Sequence, residues 1–425
     1  MEIQDLYAHF LQHPSIQTDT RKLQQGDLYF ALKGPNFNGN TFARKALEAG
    51  AAFVVLDEPA DFSDDRIIYT GNTLETLQQL AKYHRQQFAI PFLAITGSNG
   101  KTTTKELIHE VLSTTFKTYT TKGNLNNHIG IPLTILSVKK DAEIAVIEMG
   151  ANHQHEIESY CTYTLPTHGL ITNCGKAHLE GFGGVEGVKK GKGELFNYLK
   201  KFNGTAFIMT DYDYLNEMSS GIREIKTYGT MQGDITGIAA SSHEFLAVTM
   251  TGGTEIKNIN THLVGTYNLP NVLAAIAVGK YFKVAEPKIK AALNEYMPTN
   301  SRSQMIEKDG NKIILDAYNA NPSSMMAAIE NFAAMSGNNK ILLLGGMMEL
   351  GDESQAEHMK LVKLIGQYQW QKVVLVGGDF NLIPHPYLYF TTSTEAKNWF
   401  HKQNIKNALL LIKGSRSMQM EKILA

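Results

Sequence analysis

The chain has 425 residues, 43% hydrophobic and 19% charged, with 40 Lys and Arg against 41 Asp and Glu. That composition excludes a disordered chain, and a formal charge of −1 excludes a generalised polyanion-binding surface, so nucleic acid is not an expected partner. At roughly 150 residues per domain, the length predicts two or three domains.

Cys161 and Cys174 show no C-x-x-C spacing and read as buried thiols in a reducing compartment. The N-terminus has no basic segment followed by an apolar run, and nowhere do about 18 apolar residues run uninterrupted. The expectation is a soluble, cytoplasmic protein without membrane insertion.

In segment 1–84 the apolar runs DLYFAL (27–32) and AAFVVLDE (51–58) read as strands, and the TFARKALEAG between them as a helix that stops at Gly50. This is a small α/β module. A polar helix, ETLQQLAKYHRQQF, follows, and Ile90-Pro91 prevents its continuation.

Segment 85–297 opens on the strand FLAI, runs into a Gly-rich loop, and continues as a helix from Lys101 with Leu107, Ile108, Val111 and Leu112 on one face. The strands EIAVIEMG and GLITN follow, which is the pattern of a parallel sheet flanked by helices. Two strand-like runs around Gly252-Gly253 predict a hairpin, and NLPNVLAAIAVGKYF a helix. Pro298 and a polar cluster mark the next boundary. In segment 298–425, KIILDAY, KILLLGG, KVVLVGG and NALLLIKGS read as buried strands separated by helices, a doubly wound Rossmann-like domain.

The stretch AITGSNGKTTTKE (94–106) carries the clearest chemistry. Gly97 and Gly100 permit a turn that aims the backbone N–H groups from Ser98 to Thr103 at phosphate oxygens on a helix N-terminus. Lys101 adds charge for the β and γ phosphates, and Thr102 a hydroxyl for Mg²⁺. The usual spacing G-x-x-x-x-G-K-[ST] has a glycine where Ile95 stands here, and the motif alone leaves a GTPase or kinase open. Glu148, closing an apolar run, is a candidate metal carboxylate; His178, after the next strand, a candidate second ligand. The plainer alternatives are a surface glutamate and a structural histidine. Asn124, Asn126 and Asn127 offer neutral amide donors for phosphate or sugar oxygens, or form an ordinary polar turn.

TGSNGKT, GNLNNHIGIP, IEMGA, ITNCGKAHLEGFG, KGKGELF, GTYNLPNVLAA, NSR, DAYNANPSSM, LGGMMELGDES and KGSRSM together resemble the Mur ligases, ATP-dependent amino-acid or peptide ligases of peptidoglycan synthesis. The shortened loop T-G-x-N-G-K-T is that family's form, which accounts for Ile95. DAYNANPSSM, MMELG and KGSRSMQME resemble the branch that joins D-alanyl-D-alanine to UDP-N-acetylmuramoyl-tripeptide.

The resemblance implies a uridine-binding N-terminal domain, a central ATPase domain and a C-terminal domain whose motion closes the active site. It implies transfer of the ATP γ-phosphate to a carboxylate, then attack of an amine on the acyl phosphate. By this carry-over Gly97 to Thr103 cradle ATP and Mg²⁺, Glu148 and His178 serve metal ions, and Lys192 is carbamylated into an anionic metal-binding group. Asn268 and Asn271 face adenine; Arg302 and Asp316 reach phosphates and ribose, with Tyr318 near the base. Thr20, Arg21, Asn38 and Asn40 are candidates for the uridine end, the last two standing where related sequences often have an acid and a histidine, as Tyr267 stands where a histidine is common. Asn319, Asn321, Lys413, Ser415 and Arg416 are candidates for the acceptor dipeptide, Arg416 because guanidinium pairs bidentately with carboxylate. A monomer is expected. A sister ligase adding one amino acid, a folylpolyglutamate-type enzyme and a P-loop binding module that switches without ligation are the competing readings.

Overall fold

In the computed structural model, which describes residues 2–240, 244–299, 301–337 and 339–425, the expected apolar runs become parallel strands. Asn300 of the NSR stretch lies outside the described residues. The chain divides into two compact units, one formed by the segment ending at Ile95 with Phe116–Ala151 and His155–Gly169, the other by Thr96–Thr115, Asn152–Gln154 and Leu170–Ala425.

The first unit holds a four-stranded parallel sheet in the order Ile16–Gln17, Leu28–Phe30, Phe53–Leu56, Ile67–Tyr69. Leu28, Tyr29 and Phe30 are wholly buried, as an unbroken apolar run requires when both faces of a parallel strand are covered. Helix Thr73–Arg85 starts where the Asn72 side chain accepts the Glu75 N–H at 3.0 Å. The same unit carries Ile144–Glu148 between the parallel strands Thr118–Thr120 and Phe92–Thr96, with Glu148 in register with Ile95.

In the second unit, helix Leu269–Tyr281 packs on helix Lys101–Ser113, and Gly279 is tight enough that a Cβ would lie 2.6 Å from Val111. Strands Thr205–Met209 and Glu224–Gly229 run parallel, and Ala247–Gly252 pairs antiparallel with both Ile235–Ala240 and Asn258–Asn260, the expected hairpin, turning through Gly253 at φ 79°. The C-terminal sheet has six strands in the order Gln304–Lys308, Asn311–Asp316, Leu409–Lys413, Lys340–Gly345, Lys372–Val376, Leu388–Phe390. All of its pairs are parallel except the first. The last strand to form in chain order inserts beside the second, so Asp316 and Lys413 fall side by side at strand C-terminal ends, where doubly wound sheets bind ligands. Both cysteines are buried thiols in no disulfide. Among the described residues no helix is long and apolar enough to cross a membrane.

Candidate active site

The turn from strand Phe92–Thr96 into helix Lys101–Ser113 places Gly97 at φ 142° and Gly100 at φ 80°. Both glycines are also required by space: a Cβ on Gly97 would lie 2.0 Å from Thr172 Oγ1, and one on Gly100 2.6 Å from Asn271 Oδ1. The loop is braced by residues after the strand His168–Ile171. Ser98 N–H donates to the Asn173 carbonyl (2.9 Å), Asn99 N–H to Asn173 Oδ1 (3.1 Å), Ser98 Oγ to the Gly175 carbonyl (2.9 Å) and Thr172 Oγ1 to the Asn99 carbonyl (2.6 Å). Lys101 Nζ donates to the carbonyls of Gly97 (2.6 Å) and Ser98 (3.2 Å), which holds its charge over the loop. Thr102 and Thr103 are buried behind it. Such a pre-formed turn at a helix N-terminus suits an anion.

Asn268 and Asn271 lie buried against this helix. Thr104 Oγ1 donates to Asn271 Oδ1 (3.0 Å), Asn271 Nδ2 to Asn268 Oδ1 (2.8 Å) and Asn268 Nδ2 to the Val264 carbonyl (2.9 Å). The two amides therefore form a relay that anchors the loop from behind.

In the first unit Glu148 is wholly buried, its oxygen Oε1 accepting from Asn126 Nδ2 at 2.8 Å while its backbone N–H donates to Thr121 Oγ1 at 3.0 Å. Of the amide cluster, Asn126 reaches this carboxylate by a side-chain bond. Asn127 Oδ1 accepts the N–H groups of Ile129 (3.2 Å) and Gly130 (2.9 Å) ahead of helix Gly130–Leu136, and Asn124 is exposed.

In the second unit His178 (φ 53°) and Glu349 (φ 62°) both take left-handed backbone, and Nδ1 lies 2.5 Å from Oε2. The contact with His178 holds the Glu349 carboxyl below its ordinary value. Lys192, 1% exposed in helix Val185–Lys201, has Nζ 4.7 Å from the Phe182 ring centre. Burial pushes the neighbouring Cys174 thiol up to about 12 against the opposing pull of Lys192. A buried ammonium is costly unless it is paired. Among the described residues no three His, Cys, Asp or Glu side chains converge as a metal cage. Thr102 in the second unit and Glu148 in the first each offer oxygen, the donor type that Mg²⁺ takes.

From the C-terminal sheet, Lys413 Nζ donates to Asp316 Oδ2 (2.6 Å) and the Asn319 carbonyl (3.3 Å). Arg302 stacks 3.7 Å above the Tyr318 ring, and its buried Nε has no hydrogen-bond partner among the described residues. Arg416, 5.8 Å from the same ring, pairs with Glu421 at 3.4 Å, and the Ser415 and Ser417 hydroxyls lie 3.2 Å apart. Asn319 Oδ1 accepts the Ala320 N–H at 2.9 Å. Asn321 Nδ2 donates to Asn99 Oδ1 (2.7 Å), Ser323 Oγ accepts the Lys176 N–H (3.1 Å), and Lys176 Nζ bonds Glu357 (2.7 Å). Thr172, Asn173, Lys176, Ser323, Glu349 and Glu357 are thus part of this neighbourhood although sequence reasoning did not single them out. Thr172 and Asn173 carry a signal, since they immediately follow a buried strand.

In the first unit Arg21 clasps Asp19 through Nε (2.9 Å) and Nη2 (2.7 Å), lowering that carboxyl to about 2, with Thr20 between them. Asn38 Nδ2 donates to Glu58 (2.8 Å) and Asn40 Nδ2 to Asp57 (2.8 Å), while Lys33 Nζ lies 3.1 Å from each carboxylate. The two asparagines are thus accommodated by an acidic pair that accepts from both.

A pre-formed phosphate loop, tied by Asn99 to a loop at the strand ends of a doubly wound sheet, places the protein among α/β P-loop enzymes acting with nucleoside triphosphates. The Mur ligase middle domain matches residues 95–279, the Mur ligase glutamate ligase domain residues 301–416, and the Mur ligase family catalytic domain residues 14–89. The UDP-N-acetylmuramoyl-tripeptide–D-alanyl-D-alanine ligases of Bacillus subtilis and Escherichia coli are each 36% identical, over 96% of this chain and 92% of theirs. MurF from Acinetobacter baumannii superposes with a TM-score of 0.88 at 30% identity, covering 96% of this chain and 92% of that one. MurF ligase from Thermotoga maritima in complex with ADP gives 0.87 at 26% identity, covering 97% of each. The chain belongs to the Mur ligase family.

Proposed function

We propose that this protein is an ATP-dependent ligase joining D-alanyl-D-alanine to UDP-N-acetylmuramoyl-tripeptide in peptidoglycan precursor synthesis, acting in the cytoplasm as a monomer. The observation that carries the reading is the phosphate loop, held open by two glycines, in a chain similar along 96% of its length to ligases of that name. We assign uridine recognition to 1–84, ATP chemistry to 85–297 and dipeptide binding to 298–425.

A carboxylate oxygen of the tripeptide attacks the γ-phosphorus and ADP leaves. The dipeptide amine then attacks the acyl carbon, the amine proton is lost and inorganic phosphate departs. The protein's part is positioning and charge neutralisation. Gly97 to Thr103 present N–H groups to the phosphates, and Lys101 exchanges the loop carbonyls for phosphate oxygens. When bound, Mg²⁺ would neutralise charge developing on the transferred group. Thr102, Glu148, His178 and carbamylated Lys192 are its proposed holders, Asn126 orienting Glu148. Arg302, whose Nε has no partner among the described residues, would meet a phosphate, Asp316 the ribose and Tyr318 the base, with Asn268 and Asn271 on the adenine side. Thr20, Arg21, Asn38 and Asn40 serve the uridine end, and Asn124 and Asn127 the sugar and phosphate oxygens. Asn319, Asn321, Lys413, Ser415 and Arg416 serve the dipeptide.

The test is phosphate release from ATP and Mg²⁺ with UDP-N-acetylmuramoyl-tripeptide. Release that depends on D-alanyl-D-alanine, and not on single amino acids, is expected; absence of that dependence defeats the reading.

A further inference from the structure

Asp316 has both carboxylate oxygens fixed. Lys413 Nζ holds Oδ2 at 2.6 Å, and the Ser303 N–H donates to Oδ1 at 3.2 Å. Ser303 makes that bond from a left-handed backbone, at φ 50°, a conformation that L residues leave unless they are held there. The hold is visible: the Tyr267 hydroxyl lies 3.0 Å from Ser303 Oγ. Tyr267 is in turn built into place. Gly265 (φ 95°) precedes it by two residues, and a Cβ there would fall 2.2 Å from the Tyr267 ring. Burial, with the Asp316 charge close by, raises the phenol above its ordinary value, so it remains a hydrogen-bond donor. Ser303 is itself buried, so its hydroxyl is not offered to solvent in competition.

We propose that Tyr267, acting through Ser303, positions the Asp316 carboxylate to receive the ribose hydroxyls of a bound nucleotide. The inference rests on the assignment of Asp316 to the ribose. A carboxylate pinned at both oxygens presents its remaining lone pairs in one direction, and a ribose diol is a donor pair that rewards such fixed aim. Tyr267 is a positioning residue, and it ties the start of helix Leu269–Tyr281, which packs on the phosphate-loop helix, to the strand end that carries Asp316.

The test is direct binding by calorimetry of ADP, 2′-deoxyADP and 3′-deoxyADP to the full chain, with Tyr267→Phe, Ser303→Ala and the double variant. The unmodified protein is expected to bind ADP more tightly than at least one deoxy analogue. Tyr267→Phe should weaken ADP about fivefold while changing that analogue by less than about twofold, the size of one lost hydrogen bond. Ser303→Ala should match it, and the double variant should add little, because the two residues act as one unit. Equal weakening of ADP and both analogues would mean a packing role and overturn the proposal, as would discrimination that no variant alters or that the unmodified protein lacks. Dipeptide-dependent phosphate release by the unmodified protein is measured in parallel. Its failure would defeat the ligase reading while leaving the nucleotide result to stand or fall alone.

Discussion

Asn321 donates its side-chain amide to the Asn99 side-chain carbonyl at 2.7 Å, joining the loop after strand Asn311–Asp316 to the phosphate loop. The same residue caps helix Pro322–Ala334: its Oδ1 accepts the Ser324 N–H at 2.9 Å, and Ser324 Oγ accepts the Asn321 N–H at 3.1 Å. One side chain thus serves stability through its oxygen and the nucleotide loop through its nitrogen.

Substitution can separate those two roles. Asn321→Ser keeps a capping oxygen but loses the reach to Asn99, so thermal stability should hold while the KM for ATP rises about five- to tenfold. Asn321→Ala should lose both, with a further destabilisation of about 1 kcal/mol. Thermal unfolding beside ATP kinetics measures the two effects; equal Tm values for both variants would contradict the division of labour.

Lys101→Ala should abolish ATP turnover and leave the fold intact. Lys101 Nζ bonds the Gly97 and Ser98 carbonyls at its own helix start, so its removal is expected to spare the buried core, whereas the γ-phosphate loses its compensating charge. Circular dichroism checks the fold and phosphate release the activity; loss of the folded spectrum contradicts this account.

The parallel strands are legible in the sequence because a strand buried on both faces is an uninterrupted apolar run, as in Lys340–Gly345. The edge strands Gln304–Lys308 and Leu388–Phe390 are not, because half-exposed residues leave no such run. The phosphate loop is legible because glycine and lysine types are demanded by backbone angle and charge. The residues that brace it are harder to read: Thr172 and Asn173 act through bonds any polar strand end offers, and the Lys176–Glu357 pair is 181 positions apart. Asn126 is legible as a polar loop residue, but its bond to Glu148 depends on which strand Ile144–Glu148 lies beside.

Lys192→Ala should lower the ligation rate by on the order of 100-fold, the scale on which disrupted metal organisation acts. The side chain is wholly enclosed beside Phe182, so it has no solvent-facing task to lose. A small carboxylate added to the variant should restore part of the rate by replacing the anionic group. Full activity of the variant at low bicarbonate, followed by phosphate release, would contradict a metal-organising Lys192.

Acid should destabilise the protein from about pH 6.5 downward through His358. This ring is wholly buried; Nδ1 lies 2.8 Å from the Ser354 carbonyl, so it carries the proton, and Nε2 accepts the Met347 N–H at 3.1 Å. A second proton on Nε2 would break that bond, and burial already lowers the folded pKa below the ordinary histidine value. The unfolded chain therefore binds the proton first as pH falls, so stability is complete above the unfolded pKa and drains away between it and the lower folded value. His84 has the same sign: burial lowers it, with the Tyr7 hydroxyl 3.0 Å from Nδ1 and the Val138 carbonyl 2.8 Å from Nε2. Midpoints of denaturant unfolding measured from pH 7.5 to pH 5 should fall with acid. His358→Gln, less stable at neutral pH, should show a shallower fall; an unchanged slope would mean that His358 does not supply the proton linkage.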